Sequence, residues 1–387
     1  MAADRNVGIA PQFRVSYPLR GNTCNLNPVT PAVPTATWLI RISEVFAELS
    51  VNIVSGLGGE IFKKLGSEYY LIQTPGPAMM HQSDAVGFLR WNMPVDHAWP
   101  CNPEKMEGFV EKSAQAMFRK FGGRHPQAIF VGQLDPSATN RYYKALASNL
   151  RGRTLQLFSP EIAAFKDVEA QDSGRETLFC LVGKEGLFCG MQSPRDSNGF
   201  YPGGTKYISQ SSPDTISRAG AKVAEALHYL LLHRPLPGKG CHWLELGASP
   251  GGMTSELLSR GYKVTAIDRA PLDKRLDQQP GLHFAMLDVA AFEPNASMRY
   301  DAILTDMNGD PRESIRQVSR LSKNLNAGGL VIFTLKTMGV TAFDDVNELY
   351  RFAVATAAQA GLKLFAKTHL TYNRHEFTLF FESIATA

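Results

Sequence analysis

The stretch LELGASPGGMTSELL, residues 244–258, is the part of the sequence that decides the fold. It consists of a short apolar run, a turn rich in glycine and a segment with helical spacing. In an open sheet of alternating strands and helices, such a turn lies at the carboxyl end of a strand, where ligands bind and where glycine lets the backbone approach them closely. The stretch therefore predicts a ligand site on an α/β sheet.

The spacing of the glycines narrows the choice of ligand. Gly247, Gly251 and Gly252 follow the pattern GxxxGG, whereas a dinucleotide-binding turn requires GxGxxG. This spacing disfavours NAD and favours S-adenosylmethionine, whose ribose would meet Asp268 at the end of KVTAID and whose adenine would meet Asp288 at the end of FAMLD. A plain tight turn would explain the glycines alone, but not the ordered acids. The candidate cofactor-binding residues are Gly247, Ser249, Pro250, Gly251, Gly252, Met253, Asp268, Asp288 and Asp306.

Apolar runs and helical stretches alternate on both sides of this motif. A predicted helix over 216–232 is followed by the runs HWLEL, KVTAI, LHFAML, YDAILT and LVIFTL, which predict a mostly parallel sheet with helices on both faces. The last two runs, 362–370 and 376–383, are joined by TYNRH, which is too short for a parallel crossover and predicts a hairpin. The fold expected for residues 216–387 is a class I (Rossmann-like) methyltransferase domain, with a seven-stranded sheet that ends in an antiparallel hairpin.

Four charged residues extend the pattern beyond the turn. The motif LGASPGG resembles the LGAxPGG signature of the FtsJ-type RNA 2′-O-ribose methyltransferases. The Lys, Asp, Lys, Glu tetrad of that family has counterparts here in the same order, namely Lys222 in SRAGAKVAEAL, Asp306 in LTDM, Lys336 in FTLK and Glu376 in NRHEFTLFF. The resemblance covers residues 215–383 and implies transfer of a methyl group from S-adenosylmethionine to a ribose 2′-hydroxyl of RNA.

The resemblance also implies a role for each tetrad residue. Lys336 is the expected base or hydroxyl-orienting group, Asp306 lies close to the methyl donor, and Lys222 and Glu376 position the centre. A lysine acts as a base only if its pKa is lowered, which burial and a second cation favour and nearby carboxylates oppose. Taken singly, Asp306 would also fit a helix cap and Glu376 an ordinary ion pair.

Two departures from the family pattern accompany the match. Met253 stands where the family usually has Trp after PGG, and Asn308 and Gly309 follow Asp306 at positions where other sequences vary. None of these residues belongs to the tetrad. They bear on the fit of the cofactor and of the target nucleotide, and leave the expected reaction type unchanged.

The residues before the methyltransferase domain have a mixed α+β pattern. This layout resembles the RlmM-like enzymes of the family, which methylate a cytidine ribose of bacterial large-subunit ribosomal RNA and carry a THUMP RNA-binding module. We therefore expect an N-terminal α+β region over 1–100, a THUMP-like RNA-binding module over 101–192 and a linker rich in Pro, Gly and Ser over 193–215.

Basic residues are concentrated within the expected RNA-binding module. The whole chain has a formal charge of only +4, but residues 112–153 hold eight basic residues against Asp135 alone, interleaved with Tyr142 and Tyr143. Such a patch is typical of a surface that binds the phosphate backbone of a nucleic acid. The alternative interpretation is a helix face that is only solvated. The candidate RNA-binding residues are Arg119, Lys120, Arg124, Arg141, Lys144, Arg151 and Arg153, with Arg218 and Arg374 as further cations around the expected catalytic cleft. Phe200, Tyr201 and Tyr207 in the linker are candidates for stacking on a base, and packing residues are the equal alternative.

Composition sets the remaining expectations. The 387 residues are 44% hydrophobic and 20% charged, which fits two or three globular domains. The sequence has no apolar run near the ~18 residues of a membrane span and no signal-peptide core, so the expected compartment is the cytoplasm. Five scattered cysteines without zinc-type spacing predict free thiols and no metal. The alternatives to an RNA ribose methyltransferase are a class I methyltransferase with another substrate and a non-catalytic RNA-binding or ribosome assembly factor.

Overall fold

Four antiparallel strands form the first sheet of the computed structural model, which describes residues 35–76, 83–134, 141–165, 167–209, 215–337 and 339–384. The strands are β1 (Ala36–Ile42), β2 (Glu60–Leu65), β3 (Tyr69–Thr74) and β4 (Leu89–Pro94), and α1 (Ser50–Gly56) joins the first two. Their order β2-β3-β1-β4 is that of ferredoxin-like folds. The central β1 is an apolar run because both of its faces are covered, whereas the edge strand β2 exposes Lys63 and Lys64, as edge strands commonly do.

A second sheet packs against the first. Its strands are β5 (His97–Trp99), β6 (Ile129–Gln133), β7 (Thr177–Gly183) and β8 (Gly186–Gln192), in the order β5-β8-β7-β6. The helices α2 (Phe109–Phe121) and α3 (Tyr142–Leu155) cover one face, and the short α4 (Pro160–Ala164) follows them. Residues alternate along β7, so that Cys180 faces the helices while Phe179 faces Trp91 of the first sheet.

The third sheet has seven strands, as the sequence predicts. Its elements are α5 (Ala219–Leu230), β9 (His242–Leu246), α6 (Gly252–Ser259), β10 (Lys263–Asp268), β11 (Leu282–Met286), β12 (Tyr300–Thr305), α7 (Pro311–Leu321), β13 (Leu325–Lys336), α8 (Phe343–Gln359), β14 (Leu362–Thr368) and β15 (Glu376–Ser383). The strand order is β11-β10-β9-β12-β13-β15-β14. All neighbouring strands are parallel except β15, which is antiparallel to both of its neighbours. The prediction of a doubly wound sheet that ends in a hairpin is confirmed.

Helices cover both faces of this sheet. Leu246 and Ile303 point toward α7 and α8, whereas Trp243 and Leu304 on the same two strands point toward α5 and α6. Strands buried on both faces are continuous apolar runs, which explains the runs seen in the sequence. The core on the α8 side continues into the first sheet.

Two segments pack differently from what the expected domain limits imply, namely β5 and the described part of the linker. The strand β5 lies before residue 100, yet it pairs with β8 of the second sheet; three residues are too few to show any periodicity. The described part of the expected linker, 193–209, is packed against its neighbours. Phe200 is buried in the core beside α5, and the Asn198 side chain donates to Leu89 O (2.9 Å) and accepts from the Tyr229 hydroxyl (2.6 Å).

Several sequence expectations concern cysteines and the membrane. Cys180 and Cys189 lie opposite each other on β7 and β8 as free thiols, both buried, while Cys24 lies outside the described residues. Within the described ranges, no helix has the length and apolar character that crossing a bilayer requires.

Core packing on the third sheet makes a first prediction. Phe380 on β15 is fully buried and stacks on Tyr229 of α5, with 5.3 Å between ring centroids. We expect Phe380→Ala to lower the free energy of unfolding by about 3–5 kcal/mol, because a large cavity replaces the ring. The control is Phe62→Ala on β2, where the side chain is 66% exposed and the expected change is below about 0.5 kcal/mol. Urea unfolding measures both, and equal effects would contradict the packing described.

Candidate active site

A cleft of about 540 Å³ opens at the carboxyl ends of the parallel strands of the third sheet. Among the predicted cofactor-binding residues, those that line the cleft are Gly247, Ser249, Pro250, Gly252, Met253, Asp268, Asp288 and Asp306. Gly251 does not line it and instead caps the N-terminus of α6 with φ of 105°, a backbone conformation that favours glycine. A Cβ at Gly252 would overlap the Ser217 hydroxyl. The glycine-rich turn therefore combines a tight start of α6 with close packing of the backbone.

The two predicted acids lie at the ends of neighbouring strands. Asp268 accepts hydrogen bonds from the backbone N–H groups of Ser249 (2.9 Å) and Ala270 (2.8 Å). Asp288 accepts from Ala290 N at 2.8 Å and lies 3.6 Å from the Arg269 guanidinium. The first carboxylate is thus fixed directly against the glycine-rich turn, and each carboxylate oxygen keeps acceptor capacity for a further donor.

The tetrad residues come together from four different elements. Lys222 lies on α5, Asp306 follows β12, Lys336 ends β13 and Glu376 begins β15. Lys336 and Glu376 are opposite each other in the antiparallel pairing of β13 with β15. Lys222 Nζ lies 3.3 Å from Asp306 Oδ2 and is paired with Glu376 Oε1, while Lys336 Nζ lies 3.1 Å from Asp306 Oδ1. The result is an alternating row of charges in the order Glu376, Lys222, Asp306, Lys336.

The row is mostly withdrawn from water. The four side chains are between 10% and 22% exposed. Burial lowers the pKa of Lys222, but the carboxylates of Asp306 and Glu376 outweigh burial and raise it overall. For Lys222, the attraction of the carboxylates is thus stronger than the effect of burial. Lys222 stays protonated at neutral pH and links the two carboxylates.

Lys336 has a different set of partners, which includes a residue whose contact with Lys336 the sequence did not indicate. Its Nζ donates to the Asp306 carbonyl oxygen at 3.1 Å and to Asn308 Oδ1 at 2.7 Å. Asn308 stands at one of the positions where this chain departs from the family pattern. The only signal for its part in the site is its place two residues after Asp306.

Glu245 is a second residue whose role sequence reasoning missed, although it lies within the LELGASPGG motif. It is buried on β9 beneath the turn, where Oε2 accepts from the Thr254 hydroxyl at 2.7 Å. Burial raises the pKa of Glu245 to about 8, and the nearby carboxylates of Asp306 and Asp268 contribute to the rise. A carboxyl group that stays protonated at neutral pH supports the turn without adding charge. A charged residue inside an apolar strand is the signal that could have found it.

The predicted RNA-binding patch divides into two sets. Arg124 pairs with Asp96 (2.9 Å) and Glu176 (2.8 Å), and Arg153 pairs with Glu111 (2.6 Å). In Arg151, Nε donates to Ile129 O and the guanidinium lies over the Phe130 ring. The residues that remain exposed, with no carboxylate partner among the described residues, are Arg119, Lys120, Arg141 and Lys144. The charge counted over residues 112–153 alone leaves out Asp96, Glu176 and Glu111, which lie outside this range in the sequence but pair with its arginines in the fold.

The other candidates near the cleft are also divided. Phe200 is buried, and the Tyr201 hydroxyl donates to Glu169 at 2.9 Å, so both are packing residues. Tyr207 is 87% exposed. Arg218, just before α5, and Arg374, in the loop between β14 and β15, are exposed. No group of three or more His, Cys, Asp or Glu in the described ranges is arranged to hold a metal ion.

Part of the chain is similar to known proteins. Residues 215–361 match the profile of the FtsJ-like methyltransferase family. This segment of the chain is similar to FtsJ-like methyltransferases. It is 31% identical over 170 residues to "Ribosomal RNA large subunit methyltransferase M" of Halorhodospira halophila, covering 44% of this chain and 48% of that protein. The protein with the same name from Shewanella woodyi is 26% identical over 225 residues, covering 55% and 60%. The chain spans about half the length of these curated relatives.

The family match confirms the resemblance read from LGASPGG, and the strand order confirms the fold class. The match begins at residue 215 and ends at 361, before β15 supplies Glu376. The N-terminal sheets lie outside the matched segment, so their THUMP-like character stays a prediction.

The buried carboxyl of Glu245 predicts a pH-dependent stability. Its pKa is about 8 in the folded protein, against an ordinary value of 4.5 for a glutamate. Between these values the unfolded chain releases a proton that the native protein keeps, so this group lowers stability as the pH rises from about 5 to 8. Glu245→Gln lacks the group. We expect the melting temperature of the variant, relative to wild type, to rise across that interval and to level off above it. A constant difference at every pH would contradict a protonated Glu245.

Proposed function

We propose that this chain transfers a methyl group from S-adenosylmethionine to a ribose 2′-hydroxyl of RNA, with a cytidine of bacterial large-subunit ribosomal RNA as the target. The observation that carries the proposal is the alternating row of Glu376, Lys222, Asp306 and Lys336 at one end of the cleft. The names of the curated relatives support a large-subunit ribosomal RNA substrate. The cytoplasm is the proposed compartment, since bacterial ribosomal RNA is available there.

The cleft fits the proposed cofactor in size and in the chemistry of its lining. A volume of about 540 Å³ lies within the ~300–1,000 Å³ of small-molecule sites. The turn from Ser249 to Met253 would hold the amino acid end, Asp268 the ribose hydroxyls and Asp288 the adenine end. The carboxylate of Asp306 would favour a positive sulfonium nearby. When bound, the cofactor supplies a methyl group already activated by that positive charge.

The tetrad would supply alignment and removal of a proton. A ribose hydroxyl is a poor nucleophile at neutral pH, so its attack on a methyl group depends on orientation and on a base. Lys336 Nζ is the proposed group that orients the hydroxyl. After losing its own proton to solvent, the neutral amine would take the hydroxyl proton as the new O–CH₃ bond forms and the S–CH₃ bond breaks. Lys222 keeps its own proton and holds the carboxylates of Asp306 and Glu376 in place.

The two N-terminal sheets are proposed to hold the RNA. The proposed organisation is a ferredoxin-like first sheet, a THUMP-like module built on the second sheet, and the methyltransferase domain. The four exposed cations Arg119, Lys120, Arg141 and Lys144 lie on or next to the helices of that module. Among the candidate RNA-binding residues, these four have charge free to neutralise phosphates. The roles of Arg124, Arg151 and Arg153 are structural in this proposal.

Replacing Lys336 tests the proposed reaction. We expect Lys336→Ala to lower kcat for methyl transfer to RNA by about 10²–10⁴-fold, the usual contribution of general acid–base catalysis, with the Kd for S-adenosylmethionine nearly unchanged. The control is Lys363→Ala, because Lys363 is exposed on β14 of the same sheet. Transfer of labelled methyl and calorimetric titration measure the two quantities. Near wild-type turnover would remove Lys336 from the mechanism, and cofactor binding by wild type without any RNA methylation would contradict the proposed function.

Salt dependence tests the exposed cations. We expect the quadruple change of Arg119, Lys120, Arg141 and Lys144 to Gln to weaken RNA binding. The slope of log K against log salt should become shallower by about 0.7 for each single-strand phosphate that the variant no longer neutralises. The matched control replaces four exposed lysines of the methyltransferase domain with Gln, namely Lys239, Lys263, Lys323 and Lys363. Both variants change the net charge equally. Identical slopes for the two variants would mean that the patch is only a solvated surface.

A further inference from the structure

A buried group of charged residues lies between the first sheet and the loop that joins β14 to β15, residues 369–375. In it, Arg41 and Arg90 share the carboxylate of Glu68, at 2.6 Å and 3.1 Å. The three side chains are 6%, 10% and 17% exposed for Arg41, Arg90 and Glu68. Burying charged side chains costs free energy unless each charge is paired and hydrogen-bonded. The hydrogen bonds that this group makes outside the first sheet therefore show which other segment of the chain it fixes.

Arg90 reaches from the first sheet to the first half of this loop. Its Nε donates to His369 Nδ1 at 3.1 Å, and its NH2 group donates to Thr371 O at 3.3 Å. Because an arginine only donates, Nδ1 must accept and the imidazole proton lies on Nε2. That nitrogen then donates to Arg374 O at 2.7 Å. Burial and the neighbouring Arg90 lower the pKa of His369 to about 3, which keeps the ring in this neutral, bridging state.

Glu225 holds the same loop from the opposite side. Its Oε1 accepts from Thr371 N at 2.9 Å and its Oε2 from Tyr372 N at 3.1 Å. Glu225 lies on α5 three residues after Lys222, so the two side chains come from adjacent positions on one helix face. Thr371 is therefore fixed at both of its backbone polar groups, through its carbonyl by Arg90 and through its N–H by Glu225.

Aromatic contacts also fix the chain directly after Glu376. Phe377, the next residue along the chain, stacks on Phe46 with ring centroids 5.3 Å apart and meets Phe88 edge to face at 4.9 Å. Phe46 and Phe88 belong to the turns that flank the strands of the first sheet. Contacts with the N-terminal part of the chain thus hold Glu376 from both directions.

We propose that Arg90 is a positioning residue for the methyl transfer: through His369 and Thr371 it fixes loop 369–375, and with it the placement of Glu376 against Lys222. The inference rests on the proposed function for the reaction it serves. None of the residues 369–376 lines the cofactor cleft. We therefore expect loss of Arg90 to displace Glu376, the one member of the row that does not line the cleft, more than the residues that would hold the cofactor.

The test compares two arginines, Arg90 and Arg351, that each join the N-terminal part of the chain to the methyltransferase domain. Arg351 on α8 pairs with Asp84 at 3.1 Å, but it is 69% exposed and does not touch the loop. We expect Arg90→Ala to lower kcat for RNA methylation by about 10- to 100-fold, as for a displacement of about 1 Å, with the Kd for S-adenosylmethionine within about twofold. The amides of Thr371 and Tyr372 should exchange hydrogen faster. Arg351→Ala should change none of the three quantities.

Two further variants separate positioning from simple loss of stability. Glu225→Gln keeps the shape of the side chain but only one acceptor oxygen, so one of the two amides should exchange faster and kcat should fall less than in Arg90→Ala. Arg90→Lys retains the charge but not the fork of donors, and should restore kcat only partly. If Arg90→Ala does not fold, these two variants carry the test.

Exchange of the two amides needs no substrate, so it is independent of the proposed function. If wild type transfers no methyl group to RNA while Arg90→Ala still speeds exchange, the proposed function fails and the fixing of the loop stands. Folded Arg90 or Glu225 variants with wild-type kcat, or with unchanged exchange at Thr371 and Tyr372, would overturn the positioning role.

Discussion

The pairing of β15 with β13 is the constraint on which the candidate site depends. It is antiparallel within a sheet that is otherwise parallel up to that point, and its register sets Lys336 opposite Glu376. A slip by one residue would turn every side chain of β15 to the opposite face, which would remove Glu376 from Lys222. The apolar side chains of β15, buried on both faces, resist such a slip because Phe380 and Phe381 belong to different cores.

Charge balance at the cleft follows from that register. Lys222 on α5 reaches across to two carboxylates, so its own charge is fixed and the carboxylates are held apart from each other. Lys336 is left with one carboxylate and two neutral oxygens. Two lysines of the same type therefore occupy distinct environments, which is the arrangement needed if one is to hold the site together and the other is to handle a proton.

Much of the methyltransferase domain could be predicted from the sequence because its signals are local. The turn 247–252 and the apolar runs are contiguous, and the family resemblance supplied the spaced tetrad. The interactions that were missed join distant parts of the chain. Arg124 forms ion pairs with Asp96 and Glu176, and Arg90 donates a hydrogen bond to His369. Such pairs, like the packing of residues 193–209, leave no periodic signal. The ferredoxin-like strand order was also hidden, since strand pairing is not readable from such short apolar runs.

The most direct test of the account is the chemistry of the product. Total RNA from cells that lack this gene would be incubated with the protein and S-adenosylmethionine labelled in the methyl group, then hydrolysed with alkali. Methylation of a ribose 2′-hydroxyl blocks cleavage at the next phosphate, so we expect label in alkali-resistant dinucleotides derived from large-subunit ribosomal RNA. Label in mononucleotides, which marks a methylated base, or no label in RNA or ribosomal particles would contradict it.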